Sequence, residues 1–205
     1  MENLKIFLID INNLLIETWR KEFSNFADVD VISGSIFDHK VDALVSPANS
    51  FGIMDGGLDG KIRDRFGLQV ENNVRKIIQT NYFGELPVGV AIIAETGSSE
   101  CKHIISAPTM RTPENVANTI NAYLAMKAIL NVALQSPEIS SVAIPGLCSL
   151  SGQMPPEMVS RQMRIAYERV IQKKYRYTHW REEKQFERFI RNEIFYPPDD
   201  LERKF

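Results

Sequence analysis

The stretch VSPANSFGIMDGGLDG, residues 45–60, decides how this chain folds. It continues the apolar run VDAL, so a short strand ends near Ser46. Pro47-Ala48-Asn49 follows, and then Gly56-Gly57-Leu58-Asp59 leads directly into a helical pattern. Glycines between a strand and a helix answer a need for positive φ or for close backbone approach. They also suit a turn that holds an anion. Both explanations stand at this point.

The flanking segments alternate in kind. Upstream, LKIFLID has the look of a strand, NNLLIETWRKEF has helical spacing at Leu15, Trp19 and Phe23, and VDVISG is a second apolar run. Downstream, LDGKIRDRFG and VENNVRKIIQTNYF are expected helices, the second with Val74, Ile77 and Ile78 on one face. PVGVAIIAET and CKHIISAP follow as strands. PENVANTINAYLAMKAILNVALQ is expected to form one long helix with Pro113 near its start. SSVAIPG is a strand and PPEMVSRQMRIAYERVIQKK a helix, with Met154, Met158 and Met163 assigned to the core. Strands that alternate with helices, several of them continuously apolar, imply a mixed, mostly parallel sheet covered on both faces. The expected class is α/β with three layers, α/β/α.

A single boundary is expected after Tyr177, giving a domain over residues 1–177 and a helical extension over 178–205. Trp180, Phe186, Phe189 and Ile190 recur in the extension at roughly helical spacing, which predicts a helix packed on the same domain.

Composition narrows the function. The 205 residues are 44% hydrophobic with a net charge of −2, enough for one sizeable core and without the basic footprint of a nucleic-acid binder. Acids interleave with the bases of KKYRYTHWREEK, as on a solvated helix face. No apolar run approaches the roughly 18 residues that span a bilayer, and no secretory leader is visible, so an intracellular, cytoplasmic protein is expected. Cys101 and Cys148 make no CxxC, and His39, His103 and His179 are scattered, which argues against a zinc site or disulfide framework. No metal and no cofactor are expected. The oligomeric state is not legible.

In open α/β sheets ligands bind outside the carboxyl ends of the strands, so loops that leave strands are the place to search. The opening stretch is one. The other is IPGLCSLSGQMPP, residues 144–156, where Gly146 and Gly152 frame Cys148, Ser149 and Ser151 ahead of a helix. Small residues before a helix expose backbone N–H groups that favour phosphate, and a diphosphate fits. Gly60-Lys61 is not a Walker A, since the required glycine is Asp55 and the following residue is Ile62. No GxGxxG occurs.

These residues resemble a macro domain, the ADP-ribose-binding α/β/α module, from about Val31 to Val170. VDALVSPANSFGIMDGGLDGKIRDRFG carries the likeness, with ELPVGVAIIAETG, the APTMR segment and PGLCSLSGQMP in support. The last is similar to a branch that carries PGLGTGxGxMP. The resemblance implies that Asn49 faces the distal ribose and that Asp59 is the acid used by hydrolytic members. Their ten-residue separation equals that in the mono-ADP-ribosyl hydrolase branch. Ser35, Ile36, Ser46, Ala48, Gly56, Gly57 and Leu58 would contact ligand from the first loop and its neighbour. Pro145, Gly146, Leu147, Cys148, Ser149, Leu150, Ser151 and Gly152 would wrap the diphosphate. ADP-ribose or an ADP-ribosylated substrate is the implied partner. Removal of ADP-ribose from a side chain, or of a group from the 1″ position, is one implied activity. A non-catalytic reader is another, and a fold kept for protein association through the C-terminal helix is a third.

The chain departs from that pattern in places. Ser35 stands where the family often has an aspartate that accepts from adenine, with Asp38 the nearest substitute. Ser46 replaces an asparagine and Asp55 a glycine. Cys148 and Leu150 replace glycines, and Leu150 is expected to sit where positive φ is needed, at a cost of about 1 kcal/mol or more. Weaker binding than in typical members follows, with Leu150→Gly expected to tighten it. Each residue also has a plain role. Asn49 suits a turn, Asp59 an N-cap for a helix beginning at Gly60, Arg111 a surface loop, and Cys148 a buried small residue rather than a nucleophile.

Overall fold

The apolar runs ALVS and HIIS are buried at every position, as strands covered on both faces must be. They are β3 (Ala43–Ser46) and β5 (His103–Ser106) in a computed structural model that describes residues 4–198. The other strands are β1 (Lys5–Asp10), β2 (Val29–Ser33), β4 (Ile92–Glu95) and β6 (Ser141–Ile144). The helices are α1 (Asn13–Glu22), α2 (Gly57–Phe66), α3 (Leu68–Tyr82), α4 (Asn121–Gln135), α5 (Pro156–Val170) and α6 (Trp180–Ile190). The sheet order is β2-β1-β6-β3-β5-β4, parallel throughout except for β4, which pairs antiparallel with β5 at one edge.

Two apolar layers enclose this sheet. Leu15 and Trp19 of α1, Met126 and Ile129 of α4 and Met163 of α5 form one. Ile62 of α2 and Val70, Val74 and Ile78 of α3 form the other. The architecture is three-layer α/β/α, as the alternating pattern implied. Met154 joins the first layer, and Met158 packs against it part-buried. Because β1, β6, β3 and β5 run parallel, Asp10, Ile144, Ser46 and Ser106 end on one edge of the sheet. Among the described residues no helix is long and apolar enough to cross a membrane.

Two expectations are corrected. The helix foreseen from Pro113 begins only at Asn121. Asn115 accepts from the Ala117 amide at 2.9 Å, and Thr119 donates to the Val116 carbonyl at 2.7 Å while accepting from the Asn121 amide. Such local side-chain bonds compete with helix formation. In the tail, Phe186, Phe189 and Ile190 are buried, but Trp180 is 65% exposed. Six residues at 100° each carry Trp180 well off the stripe of Phe186, and the Arg181 guanidinium covers its ring instead. Residues 199–205 of the foreseen extension lie outside the described residues.

Candidate functional site

The parallel pairing of β3 with β5 continues past the strands and fixes the first loop. Ala48 donates to the Ala107 carbonyl, Thr109 to Ala48, and Ser50 to Arg111, while Asn49 bridges to Met110. Asn49 then closes its own turn. Its Oδ1 accepts from the amides of Phe51 (3.0 Å) and Ile53 (3.3 Å), and its Nδ2 donates to the Ile53 carbonyl at 2.7 Å. The turn role and a place on the cleft coexist, since the amide carries a second N–H.

Beyond this turn α2 begins at Gly57, not Gly60, with Gly56 as N-cap and no side-chain cap. Its first turn, Gly57 to Asp59, lines the cleft, and the uncapped N–H groups of a helix's first turn favour anions. A Cβ at Gly56 or Gly57 would meet nothing within 4 Å, and Gly57 takes φ +57°. These glycines leave room above the backbone and satisfy its conformation.

Asp59, third in α2, is 7% exposed yet lines the cleft. Burial pushes its carboxyl up from 3.8 to about 6; the Ser46 hydrogen bond opposes that shift, and the charges of Asp55 and Glu71 add to it. Ser46 donates to Oδ1. Oδ2 has no protein hydrogen bond among the described residues. Ser46 is 1% exposed and does not line the cleft; it touches the site through Asp59.

The second loop closes the other wall. Gly146 donates to Asp10 Oδ2 at 3.0 Å, Met154 to the Cys148 carbonyl and Val116 to Gly152. Gly146 and Gly152 are required by close packing: a Cβ on Gly152 would lie 2.6 Å from the Cys148 carbonyl oxygen, and one on Gly146 2.6 Å from Leu15. Positive φ falls on Cys148 (65°) and Gln153 (54°), not on Leu150. The backbone strain assigned to Leu150 is therefore absent, and Leu150→Gly relieves none. Its side chain is 73% exposed at the cleft rim. Cys148 is buried, its thiol pushed up to about 12 by burial and resting near the Thr109 carbonyl, an environment that disfavours the thiolate a nucleophile needs. Gly152→Ala is expected to cost about 1–3 kcal/mol, because the contact is with backbone. Thermal denaturation checks this, and an unchanged melting point contradicts it.

The cleft thus brings together Ala48, Asn49, Gly56, Gly57, Leu58, Asp59, Pro145, Gly146, Cys148, Ser149, Leu150, Ser151 and Gly152. Ser35, Ile36 and Leu147 do not line it. Ser35 accepts from the Phe37 amide and caps a short 3-10 turn, Ile36 and Leu147 are core, and Asp38 is exposed elsewhere. Arg111 pairs with Glu85 at 2.8 and 3.0 Å and covers the Phe51 ring. Sequence reasoning missed Asp10, Pro47, Ile53, Thr109, Met110 and Pro113 as lining residues, and took Asp55, which also lines the cleft, only as a departure from the family's glycine. A search of every strand end would have reached Asp10.

The Macro domain family model matches residues 45–163, more than half of the chain. The chain belongs to the macro domain family. An uncharacterised protein of Aquifex aeolicus is 33% identical over 136 residues, covering 66% of this chain and 78% of that one. A macro domain-containing protein of Caldanaerobacter subterraneus is 35% identical over 79 residues, covering 38% and 44%. Among solved structures, the macrodomain of Mycobacterium tuberculosis DarG superposes with a TM-score of 0.58 at 24% identity, over 68% of this chain and 89% of that one. A variant Oceanobacillus iheyensis macrodomain with ADPR gives 0.59 at 18% identity, over 68% and 75%. At these identities the likeness speaks for the fold. The unit β1-α1-β2 of this macro domain precedes the family match, and it delivers Asp10 to the cleft.

Proposed function

We propose that the cleft binds ADP-ribose, or the ADP-ribosyl group of a modified substrate, and hydrolyses the bond at its distal anomeric carbon. The observation that carries this reading is a buried carboxyl, held at about 6 and oriented by Ser46, on the wall of a cleft whose other side is a loop rich in small residues. The Oceanobacillus macrodomain with ADPR supports the ligand class. The N-terminus of α2 and the loop over 146–152 supply N–H groups for the diphosphate. Asp59, ionised at neutral pH but a stronger base than an ordinary carboxylate, takes a proton from a water that attacks the anomeric carbon as the leaving group departs with the bonding pair.

A second reading, a non-catalytic reader, is favoured by the use of Asn49 in its own turn and by the acids Asp55 and Asp59 at one wall. Calorimetric titration of ADP-ribose, with a turnover assay on mono-ADP-ribosylated protein, separates the two for wild type and Asp59→Ala. Binding with turnover lost in the variant supports the hydrolase. Binding in both without turnover supports the reader, and no binding by wild type sinks both.

A further inference from the structure

Behind the cleft wall lies a hydroxyl without a partner. Ser106 ends β5 at 1% exposure, and its Oγ makes no hydrogen bond among the described residues. A buried polar group in that state is costly, so its surroundings call for an explanation. β5 pairs with β3 in parallel register, Ser106 opposite Ser46, so the two side chains leave the same face of the sheet on strands about 5 Å apart. On the other side of Ser106 stands Ile92 of β4, and Ile104 precedes it on the same face. Both are apolar. Within the sheet, the polar neighbour of Ser106 is therefore Ser46, which already donates to Asp59 Oδ1.

Counting donors gives such a contact its direction. An ionised carboxylate only accepts, so Ser46 spends its single O–H on Asp59 and keeps lone pairs for which no donor is found among the described residues. Ser106 has the opposite need, a proton without an acceptor. A turn about its χ1 between staggered positions points the hydroxyl toward Ser46, and hydroxyl pairs on neighbouring strands bond in this way. A hydrogen bond accepted by Ser46 polarises its O–H and strengthens the one it donates.

We propose that Ser106 is a positioning residue for Asp59 that acts through Ser46: its hydroxyl donates to Ser46 Oγ, which commits Ser46 as the donor to Oδ1 and leaves Oδ2 as the oxygen that exchanges a proton with the cleft. The chain Ser106–Ser46–Asp59 thus runs from the core to the cleft wall, across β5, β3 and the first turn of α2. Other charges also act on this carboxyl, Asp55 before α2 and Glu71 on α3, the latter beside Arg63 at 3.7 Å and Arg75 at 3.8 Å. They act through space, so a change confined to Ser106 leaves them in place. The inference rests on the proposed hydrolysis for its effect on rate, but not for the protonation of Asp59.

The test follows the Asp59 carboxyl by carbon NMR across pH in the ligand-free protein, for wild type, Ser106→Ala, Ser46→Ala and the double variant. The wild-type midpoint is expected at about 6. Ser106→Ala is expected to raise it by about half a pH unit, because a weaker Ser46 bond favours the ionised form less. Ser46→Ala should raise it further, and adding Ser106→Ala to that variant should change nothing more, since the effect passes through Ser46. Where turnover is observed, its acid limb should move up in Ser106→Ala by the same amount. An unchanged or lowered midpoint in Ser106→Ala overturns the proposal, and a higher melting temperature beside it marks Ser106 as an idle hydroxyl. A shift of equal size in the Ser46→Ala background overturns it too, because the effect is then one of packing. Absence of turnover in wild type defeats the hydrolase reading alone, and the titration still decides the role of Ser106. If Ser106→Ala does not fold, Ser106→Cys, close in size but with a weak S–H donor, is expected to shift the midpoint in the same direction, and no shift there overturns the proposal.

Discussion

Asp59→Asn is expected to lower turnover of ADP-ribosylated substrate by about a hundredfold or more at pH 7.5, the usual contribution of a positioned general base, while leaving ADP-ribose affinity nearly unchanged and stabilising the fold. The amide keeps an oxygen for the Ser46 hydroxyl, so the local geometry survives, but it accepts no proton. The stability effect has a definite sign. Below 3.8 the carboxyl is protonated in both folded and unfolded chains and the two proteins should match. Between 3.8 and about 6 the unfolded carboxyl ionises while the buried one resists. Wild type therefore loses stability as pH rises through that window, reaching a deficit of about 3 kcal/mol above it. Denaturant titrations across pH should show the variant's advantage growing from pH 4 to 6 and then holding level. The wild-type rate should fall on the acid side of about pH 6, and any residual rate of the variant should lack that limb. Turnover within threefold of wild type would remove Asp59 from the chemistry, and an advantage that shrinks with rising pH would refute its burial as a charged group.

Local features of this cleft were legible in the sequence, whereas those that depend on tertiary neighbours were not. Gly56, Gly57, Asn49 and Asp59 lie within eleven residues and announce a strand-to-helix turn whatever surrounds them. The α/β class likewise follows from continuous apolar runs such as ALVS, whose burial on both faces needs no knowledge of strand order. Asp10 escaped because its place depends on β1 entering the sheet between β2 and β6, which no periodicity encodes. Ser46 was assigned to ligand on the family's pattern. As the last residue of a wholly buried strand, its hydroxyl finds the carboxyl thirteen positions on. The positive φ expected of Leu150 fell on Cys148 and Gln153, since the loop's path is set by Gly152 packing under Cys148 and Val116. The late start of α4 belongs to the same group: Asn115 and Thr119 hold their own turns, and Gln162 of α5 fixes the result by donating to the Thr119 carbonyl at 2.8 Å.

Phe186→Ala is expected to cost about 3–5 kcal/mol, the range for emptying a buried aromatic site. At 1% exposure Phe186 is among the most deeply buried large side chains. Its ring centroid lies 4.9 Å from that of Tyr175, 5.4 Å from Tyr177, 6.0 Å from Tyr123 and 6.1 Å from Phe189, with the Arg169 guanidinium 5.1 Å away. Tyr123 belongs to α4 and Arg169 to α5, so α6 is tied to the two helices that cover one face of the sheet. Arg169 also pairs with Glu183 through two bonds of 2.6 and 3.0 Å, and Arg161 of α5 donates to the Phe189 carbonyl at 2.8 Å. Removing the ring opens a cavity among these aromatic neighbours and takes away the face that the Arg169 guanidinium covers. Denaturant unfolding should keep a single transition while its midpoint falls, because α6 shares one core with α4 and α5. Removing residues 178–205 should go further, exposing Tyr123 and leaving too little stability for a folded domain. A loss below 1 kcal/mol for Phe186→Ala, or a truncated chain that melts as wild type does, would make the C-terminal helix an appendage rather than part of the core. Ligand binding offers an independent readout: Asn121, at the start of α4, donates to the Thr109 carbonyl at 2.8 Å, and Thr109 lines the cleft. Loosening α4 should therefore weaken ADP-ribose binding by a few-fold while leaving the protonation of Asp59 unchanged.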